Sequence, residues 1–170
     1  IELIAGSFSS DTQKTKAMGD KLHLDSERLY DSYEEMARIE SERPEEERID
    51  FVTVVTPNHL HFKVCKAFIE AGINIVCDKP MTNSVEEAEE LCRLVEEHDV
   101  LFALIHNYTG YPMIKEARQM ISNGKLGNLR KVVAEYPQGW LSDHIEKGGE
   151  NKQAAWRTDP DRAGVSAAVA

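Results

Sequence analysis

The chain has 170 residues, of which 41% are apolar and 29% are charged, a composition that excludes intrinsically disordered and fibrous proteins. Twenty basic residues against thirty acidic ones give a net charge of −10, which argues against nucleic acid binding. The longest apolar runs, such as residues 101–105, are far shorter than the ~20 residues that cross a bilayer, so we expect no membrane association.

The cysteines and the N-terminal composition favour a reducing compartment. No basic segment followed by an apolar stretch occurs near the start, so we expect no signal peptide. Cys65, Cys77 and Cys92 form no CxxC pair and lie in apolar segments, where a thiol is usually buried in the core. These features predict a cytoplasmic protein with three core cysteines.

The first third of the chain predicts one strand and two helices. Residues 1–5 are apolar enough for a short strand, and the Ser9-Ser10-Asp11 cluster can cap a helix that runs to about Leu22. A second helix is predicted over residues 33–42. Residues 42–48 are charged and contain a proline, which is typical of a solvated loop.

The middle of the chain alternates strands and helices. Residues 49–55 are β-branched and almost continuously apolar, which predicts a strand covered on both faces, as in a parallel sheet. Asn58 can cap a helix that extends through residue 71, and Gly72 can end it in the left-handed conformation. The next predicted strand covers residues 74–77.

The second half of the chain repeats this alternation and then changes pattern. A capping box at Ser84 begins a helix to about residue 98, and residues 101–105 predict another buried strand. Further on, we predict a helix over residues 114–123 and a longer strand over residues 128–137. The alternation predicts an α/β fold with a parallel sheet, and the change of pattern places a domain boundary between residues 125 and 126.

Ligands of open parallel sheets bind beyond the carboxyl ends of the strands, so the loops that leave the strands are the candidate site. Lys79 is the most informative residue in these loops, because Pro80 keeps it out of the helical conformation and extended toward the crevice. There it can hydrogen-bond a ribose or a substrate hydroxyl, and it can help to move a proton if burial tunes its pKa. The alternative is an exposed lysine in a surface turn.

Two further loops carry polar residues at strand ends. Residues 56–61 lie between a strand and a helix, so their backbone N–H groups can face an anion or a ribose. His59 and His61 are two residues apart, which is not the spacing of two ligands on one helical face, and we predict no metal site. His106, Asn107 and Tyr108 either line the same crevice or form a capped loop.

A glycine-rich GxGxxG turn, the usual mark of dinucleotide binding, is absent from the chain. Two interpretations remain open from the residues alone. Either the protein binds no dinucleotide, or the first strand and its turn lie upstream of Ile1.

Two segments together resemble the Gfo/Idh/MocA family, the glucose-fructose oxidoreductase and inositol dehydrogenase type of NAD(P)-dependent enzyme. Residues 49–80 are similar to the family's central stretch and its Glu-Lys-Pro motif, with Asp78 in place of the usual glutamate. Residues 156–160, which read Trp-Arg-Thr-Asp-Pro, are similar to the Trp-Arg signature at the entry to its second domain. The match covers nearly the whole chain.

The resemblance implies a two-domain enzyme that is truncated here at both ends. Residues 1–125 would form a Rossmann-like parallel sheet that lacks its first strand, and residues 126–170 would begin a second α/β domain with a large open sheet. The family's substrate-binding Asp and proton-transfer His would fall after Ala170, so we expect the 170 residues alone not to turn over substrate. Homo-oligomers are expected from the resemblance only.

The resemblance also assigns roles to single residues. Lys79 would be catalytic, contacting the nicotinamide ribose and the reacting hydroxyl, and Pro80 would fix the turn. The other residues that the resemblance places around the cofactor are Thr56, Pro57, Asn58, His61, Asp78, Asn107, Trp156 and Arg157.

The cofactor is expected to be NAD or NADP. Ser9, Ser10 and Lys14 favour a 2′-phosphate and therefore NADP, whereas Asp11 favours the free 2′-hydroxyl of NAD. The expected reaction is hydride transfer between the nicotinamide and a sugar, polyol or related hydroxyl compound. The alternatives are an NAD-dependent glycosidase of the same fold and a non-catalytic nucleotide-sensing protein.

Overall fold

The computed structural model describes residues 1–137, 139, 142, 154, 157–159 and 164, and it confirms the α/β fold class. The helices and strands of the described residues follow one another in the predicted alternation. The helices are α1 (Thr12–Leu22), α2 (Tyr33–Glu42), α3 (Asn58–Glu70), α4 (Val85–His98) and α5 (Pro112–Ser122); the strands are β1 (Phe51–Val54), β2 (Asn74–Cys77) and β3 (Phe102–Leu104). Short 3-10 turns cover Ser26–Arg28 and Asn107–Gly110.

The three strands form a parallel sheet in the order β1-β2-β3, with α3 and α4 as the connections. Val54 is the register partner of Cys77, and Cys77 is the partner of Leu104, so the three strands end at the same level. At the other end of β2, the Asn74 side chain donates from Nδ2 to Asp50 O (2.9 Å) and accepts at Oδ1 from Leu101 N (2.9 Å). Asn74 thereby bonds to both flanking chain segments.

The sheet is buried unequally on its two faces, which corrects the expectation of a strand covered on both. Val52 and Val54 are buried while Thr53 between them is exposed. In β2, Ile75 and Cys77 are buried and the intervening Val76 is only partly covered. Helix α3 packs against β1 and β2, and this contact accounts for the more deeply buried face of the sheet.

Two predicted strands are wrong. Residues 1–5 form no strand. The next residue, Gly6, makes a single parallel bridge, in which Gly6 N donates to Arg28 O (3.0 Å) and Tyr30 N donates to Gly6 O (3.1 Å). Residues 128–137 also form no strand, and their side chains are exposed. A strand needs a continuous ladder, and an apolar pattern alone does not supply the neighbouring strand.

Helix caps explain where most helices begin. Asp11 caps α1 by accepting at Oδ1 from Gln13 N (3.0 Å), as predicted. Ser84 caps α4 by accepting from Glu87 N (3.2 Å). Asn58 is not a cap, which corrects the prediction: Pro57 occupies the cap position of α3 without a side-chain hydrogen bond, and Asn58 is the first helical residue.

Replacing Ser84 by alanine should lower the free energy of unfolding by about 1 kcal/mol, because Glu87 N would lose its acceptor at the start of α4. Urea unfolding of the wild type and the variant measures this loss. The control is Ser122→Ala, since the Ser122 hydroxyl only donates to Arg118 O near the end of α5. Equal effects of the two substitutions would contradict the capping role.

The apolar core lies between the sheet and α2, α3 and α4. Its largest fully buried apolar side chains are Phe68, Ile69, Ile73, Ile75 and Leu91. Cys65 and Cys77 are buried as predicted, but Cys92 is exposed because the inner face of α4 is formed by Leu91 and Leu94.

A buried carboxylate forms a polar centre beside this core. Glu40 of α2 is fully buried and receives Arg28 at both oxygens, from Nε (3.0 Å) and Nη2 (2.8 Å). The Tyr30 hydroxyl donates to Oε1 (2.5 Å) and Ile49 N donates to Oε2 (3.2 Å). One carboxylate thus joins α2 to the segment before it and to the chain that enters β1.

The chain divides by its contacts into two compact units, Ile1–Leu104 and Ile105–Ala170. The first unit contains the sheet. In the second, α5 packs on the 3-10 turn, and the Tyr108 ring makes edge contacts with the rings of Tyr111 and Tyr136. The predicted domain boundary at residues 125–126 stays a prediction. Across the described part of the chain, no helix has the length and apolarity needed to cross a membrane.

Candidate functional site

The loops that leave β1 and β2 emerge side by side at the carboxyl edge of the sheet. The register pairs Val54 with Cys77, and Asp78 N donates to Val54 O (2.9 Å), which extends the ladder by one bond. Residues 56–58 and 78–80 therefore start from the same level. This edge is where open parallel sheets bind their ligands.

His61 connects these two loops. The ring of this α3 residue is 1% exposed, with Nδ1 at 2.7 Å from Pro80 O and Nε2 at 2.8 Å from Thr56 O. Carbonyl oxygens only accept hydrogen bonds, so both ring nitrogens donate when both bonds are made. The geometry therefore selects the doubly protonated imidazolium form.

The pKa values of two buried groups agree with this form. Burial lowers the pKa of His61, but the Cys77 side chain and the carbonyls of Pro80 and Thr56 outweigh it and raise the pKa to about 9. Cys65 and then His61 lower the pKa of Cys77 to about 6, against the effect of burial. The thiol form of Cys77 donates to Asp78 O (3.2 Å); its thiolate is the counter-charge available to His61.

His61 should remain doubly protonated through neutral pH and lose a proton near pH 9. Because its folded pKa is raised from 6.5, this group stabilises the fold fully below pH 6.5, and the contribution is lost as pH rises toward about 9. Cys77 has the opposite sign: its pKa falls from 9.0 to about 6, so its contribution is present above pH 9 and lost as pH falls through 6.

Nitrogen NMR of ring-labelled histidine, with His61 assigned by His61→Gln, measures this titration directly. Two protonated ring nitrogens at pH 7.5 are the expected result. A neutral His61 ring at that pH would contradict the assignment of both carbonyls as acceptors.

Lys79 is exposed at this edge, and its backbone is held on the N-terminal side, where Lys79 N donates to Asp78 Oδ1 (2.8 Å). On the C-terminal side, the Lys79–Pro80 peptide bond is cis. The described residues do not bury Lys79, and burial is what would tune its pKa for proton transfer. Lys79 follows β2 at the level where residues 56–58 follow β1, and its role at the site stays a prediction.

The start of α3 offers groups that fit a ribose or a phosphate. Pro57 provides no side-chain acceptor for the first N–H groups of the helix. The Thr56 hydroxyl oxygen is buried, and it has no hydrogen-bond partner within the described residues. Asn58 is buried next to it. Helix N–H groups and an unused hydroxyl are donors that a nucleotide can accept, so the residues present are compatible with that ligand.

Ser9, Ser10 and Lys14 come together at the start of α1, in another part of the first unit. Ser9 Oγ accepts from Asp11 N (3.1 Å), and Ser10 is exposed. The Asp11 carboxylate caps the helix through Oδ1 and lies 3.6 Å from Lys14 Nζ through Oδ2. Two of the four residues expected to discriminate the cofactors, Asp11 and Lys14, thus contact each other.

The remaining predicted site residues fall in the second unit. Asn107 is exposed in the 3-10 turn that follows β3, and Arg157 is partly buried. Trp156 lies outside the described residues. His59 is exposed on α3, and no group of three or more His, Cys, Asp or Glu side chains in the described part of the chain is arranged to hold a metal ion.

Sequence reasoning missed Cys77 as an electrostatic partner of the site. Its position does carry a signal, because it is the last inward-facing residue of β2 and directly precedes Asp78. The contact with His61 depends on how α3 packs on β2, and no local pattern encodes that packing.

Comparison with known proteins bears on this site. A family model described as "Oxidoreductase family, NAD-binding Rossmann fold" matches residues 2–108. The uncharacterized oxidoreductase YfiI of Bacillus subtilis is 34% identical over 168 residues, which are 98% of this chain and 42% of that protein. The scyllo-inositol 2-dehydrogenase (NADP(+)) IolW of the same organism is 35% identical over 52% of this chain and 25% of its own length.

A solved structure extends the match. The crystal structure of an inositol dehydrogenase homolog from Azotobacter vinelandii, complexed with NAD+, superposes with a TM-score of 0.90 and 35% identity, covering 96% of this chain and 41% of that one. A structure described in the same words, but complexed with NADH and myo-inositol, gives a TM-score of 0.81 at 34% identity, over 88% of this chain and 39% of that one. The chain thus spans about two fifths of these longer relatives.

Proposed function

Since the chain belongs to the Gfo/Idh/MocA family of oxidoreductases with an NAD-binding Rossmann fold, we propose that the full-length protein is an NAD(P)-dependent sugar or polyol dehydrogenase. The observation that carries this proposal is the position of Lys79 beside the start of α3, at the shared carboxyl edge of β1 and β2. The inositol named with two of the similar proteins supports a polyol as substrate.

The cofactor would be held by the first turn of α3 and by the loop after β2. The Thr56 hydroxyl and the N–H groups of the helical turn that begins at Asn58 supply donors there, Pro57 having no N–H of its own, while Asp78 fixes the backbone of Lys79. When bound, the nicotinamide supplies the chemistry of accepting or donating a hydride. Asn107, Trp156 and Arg157 are proposed as further cofactor contacts.

Lys79 is the residue proposed to act on the substrate. Its Nζ would hydrogen-bond the nicotinamide ribose and the reacting hydroxyl, and it would help to move the hydroxyl proton as the hydride leaves the same carbon. Pro80 holds the turn from which the lysine extends. An ammonium group on a flexible stem suits a substrate with several hydroxyl groups.

The proposal includes both NAD and NADP as the cofactor. Ser9, Ser10 and Lys14 are proposed to contact the adenosine ribose, where the ion pair between Asp11 and Lys14 presents both signs of charge. The proposal also includes a second α/β domain that starts at residue 126 and homo-oligomers of the full-length protein.

The test uses the purified full-length protein. Quenching or enhancement of NADH and NADPH fluorescence measures cofactor binding, and NADH formation is followed with inositols, other polyols and simple sugars. We expect binding of at least one cofactor and oxidation of a polyol or sugar. Cofactor binding without oxidation of any of these would indicate a nucleotide sensor, and release of an unoxidised sugar from a glycoside would indicate a glycosidase.

A further inference from the structure

The loops after β1 and β2 are held together by one side chain from a third element. His61 of α3 reaches Thr56 O, in the loop after β1, and Pro80 O, directly after Lys79. The ring is buried, so water does not compete for either bond. The separation of the two loops is therefore set by the width of one imidazole ring.

The backbone on both sides of Lys79 is held by hydrogen bonds. Upstream, Asp78 N is bound to Val54 O (2.9 Å), and Asp78 Oδ1 accepts from Lys79 N. Downstream, the carbonyl of Pro80 is held by His61 at 2.7 Å. We propose that His61 is a positioning residue, which fixes the Lys79–Pro80 turn against the loop after β1 and thereby aims Lys79 at the reacting hydroxyl. This inference rests on the function proposed above.

The chemistry of the two acceptors explains why a histidine occupies this position. Two carbonyls on separate loops need two donors at opposite sides of one rigid group, which the imidazolium ring provides. A glutamine carries both its donor hydrogens on one nitrogen and reaches one loop at a time. Among the described residues, the titratable group that acts on the ring is Cys77 at the end of β2, and Cys65 on α3 and Asp78 act in turn on Cys77.

The activity test is a double-mutant cycle in the full-length protein. His61→Gln should lower kcat by about 100-fold, the order of loss expected when a reacting group is displaced by about 1 Å, and this loss should exceed the change in the Kd for NADH. In a Lys79→Ala background, the same His61→Gln substitution should cost nothing further, because there is no lysine left to position. Independent, multiplying losses would overturn the proposal.

His59→Gln is the matched control, because His59 is an exposed histidine two residues away on the same helix. It should leave kcat and KM at wild-type values. A loss equal to that of His61→Gln would show that any histidine change in α3 disturbs the enzyme, and it would overturn the positioning role.

The hydrogen bond between His61 and Pro80 O can be tested in the wild-type protein, without an activity assay and without a variant that has to fold. The backbone amide of Lys79, in lysine-labelled full-length protein, should shift with the same midpoint as the His61 ring, because loss of one ring proton breaks one of the two bonds. A Lys79 amide chemical shift that does not change as His61 titrates overturns the proposal. If the amide follows His61 but the wild type oxidises no polyol or sugar, the proposed function fails and the contact stands.

Discussion

Replacing Lys79 by alanine should lower kcat/KM for the polyol or sugar by about 10²- to 10⁴-fold, the range lost when a group that moves a proton is removed. Lys79 is exposed and its side chain supports no buried group, so the fold should be retained. Steady-state kinetics and circular dichroism of the full-length variant measure both quantities. Lys79→Arg should recover only part of the activity, since a guanidinium keeps the charge but is a poor proton carrier.

The matched control for Lys79 is Lys63→Ala. Lys63 is an exposed lysine on α3, so its replacement by alanine removes the same charge from the same unit. Its kcat/KM should remain at the wild-type value. If Lys79→Ala behaves like Lys63→Ala, the turn after β2 is only a surface turn, and the catalytic role assigned to Lys79 is wrong.

Replacing Glu40 by alanine should lower the free energy of unfolding by about 3–5 kcal/mol, the cost of breaking a buried ion pair by removing one partner. The variant would leave Nε and Nη2 of Arg28 and the hydroxyl of Tyr30 without their carboxylate acceptor, and Ile49 N would lose its bond as well. Urea unfolding measures the loss. It should exceed the effect of Ser84→Ala severalfold, because one cap serves a single exposed N–H group.

Glu42→Ala gives the comparison for Glu40. Glu42 is an exposed glutamate near the end of the same helix, paired with Arg38 at 3.3 Å. An exposed pair of this kind contributes at most about 1 kcal/mol, so the change in the free energy of unfolding should be small. Similar losses at both positions would show that α2 depends on its total charge and not on the buried carboxylate.

Local patterns in the sequence were sufficient to predict most elements of the first unit. The limits of α2, β2 and α4 follow from caps and apolar runs that act within a few residues. The wrong strands failed for a different reason: a strand over residues 1–5 or 128–137 requires a neighbouring strand, and pairing is a property of the tertiary fold. The unequal burial of β1 has the same origin.

The candidate site was predictable where a single loop carried it and unpredictable where several segments meet. Lys79 and Pro80 stand next to each other in the chain, so their turn can be inferred directly. His61 was expected near the cofactor, but its two carbonyl partners come from loops five and 19 residues away. Glu40 shares the buried face of α2 with Met36 and Ala37, which Glu42 does not, but the groups that bind its carboxylate come from other segments of the chain.

Asn74 lies at the opposite end of β2 from Lys79, yet it determines the height at which that lysine emerges. Its amide donates to Asp50 O and accepts from Leu101 N, and both bonds exist in one alignment of the three strands only. A slip of β2 by one residue would move Lys79 by roughly 3.3 Å and turn each inward side chain outward. A slipped alignment would lose both bonds in addition to the burial of its inward side chains. The position of the candidate site at one end of the sheet therefore depends on side-chain contacts at the other end.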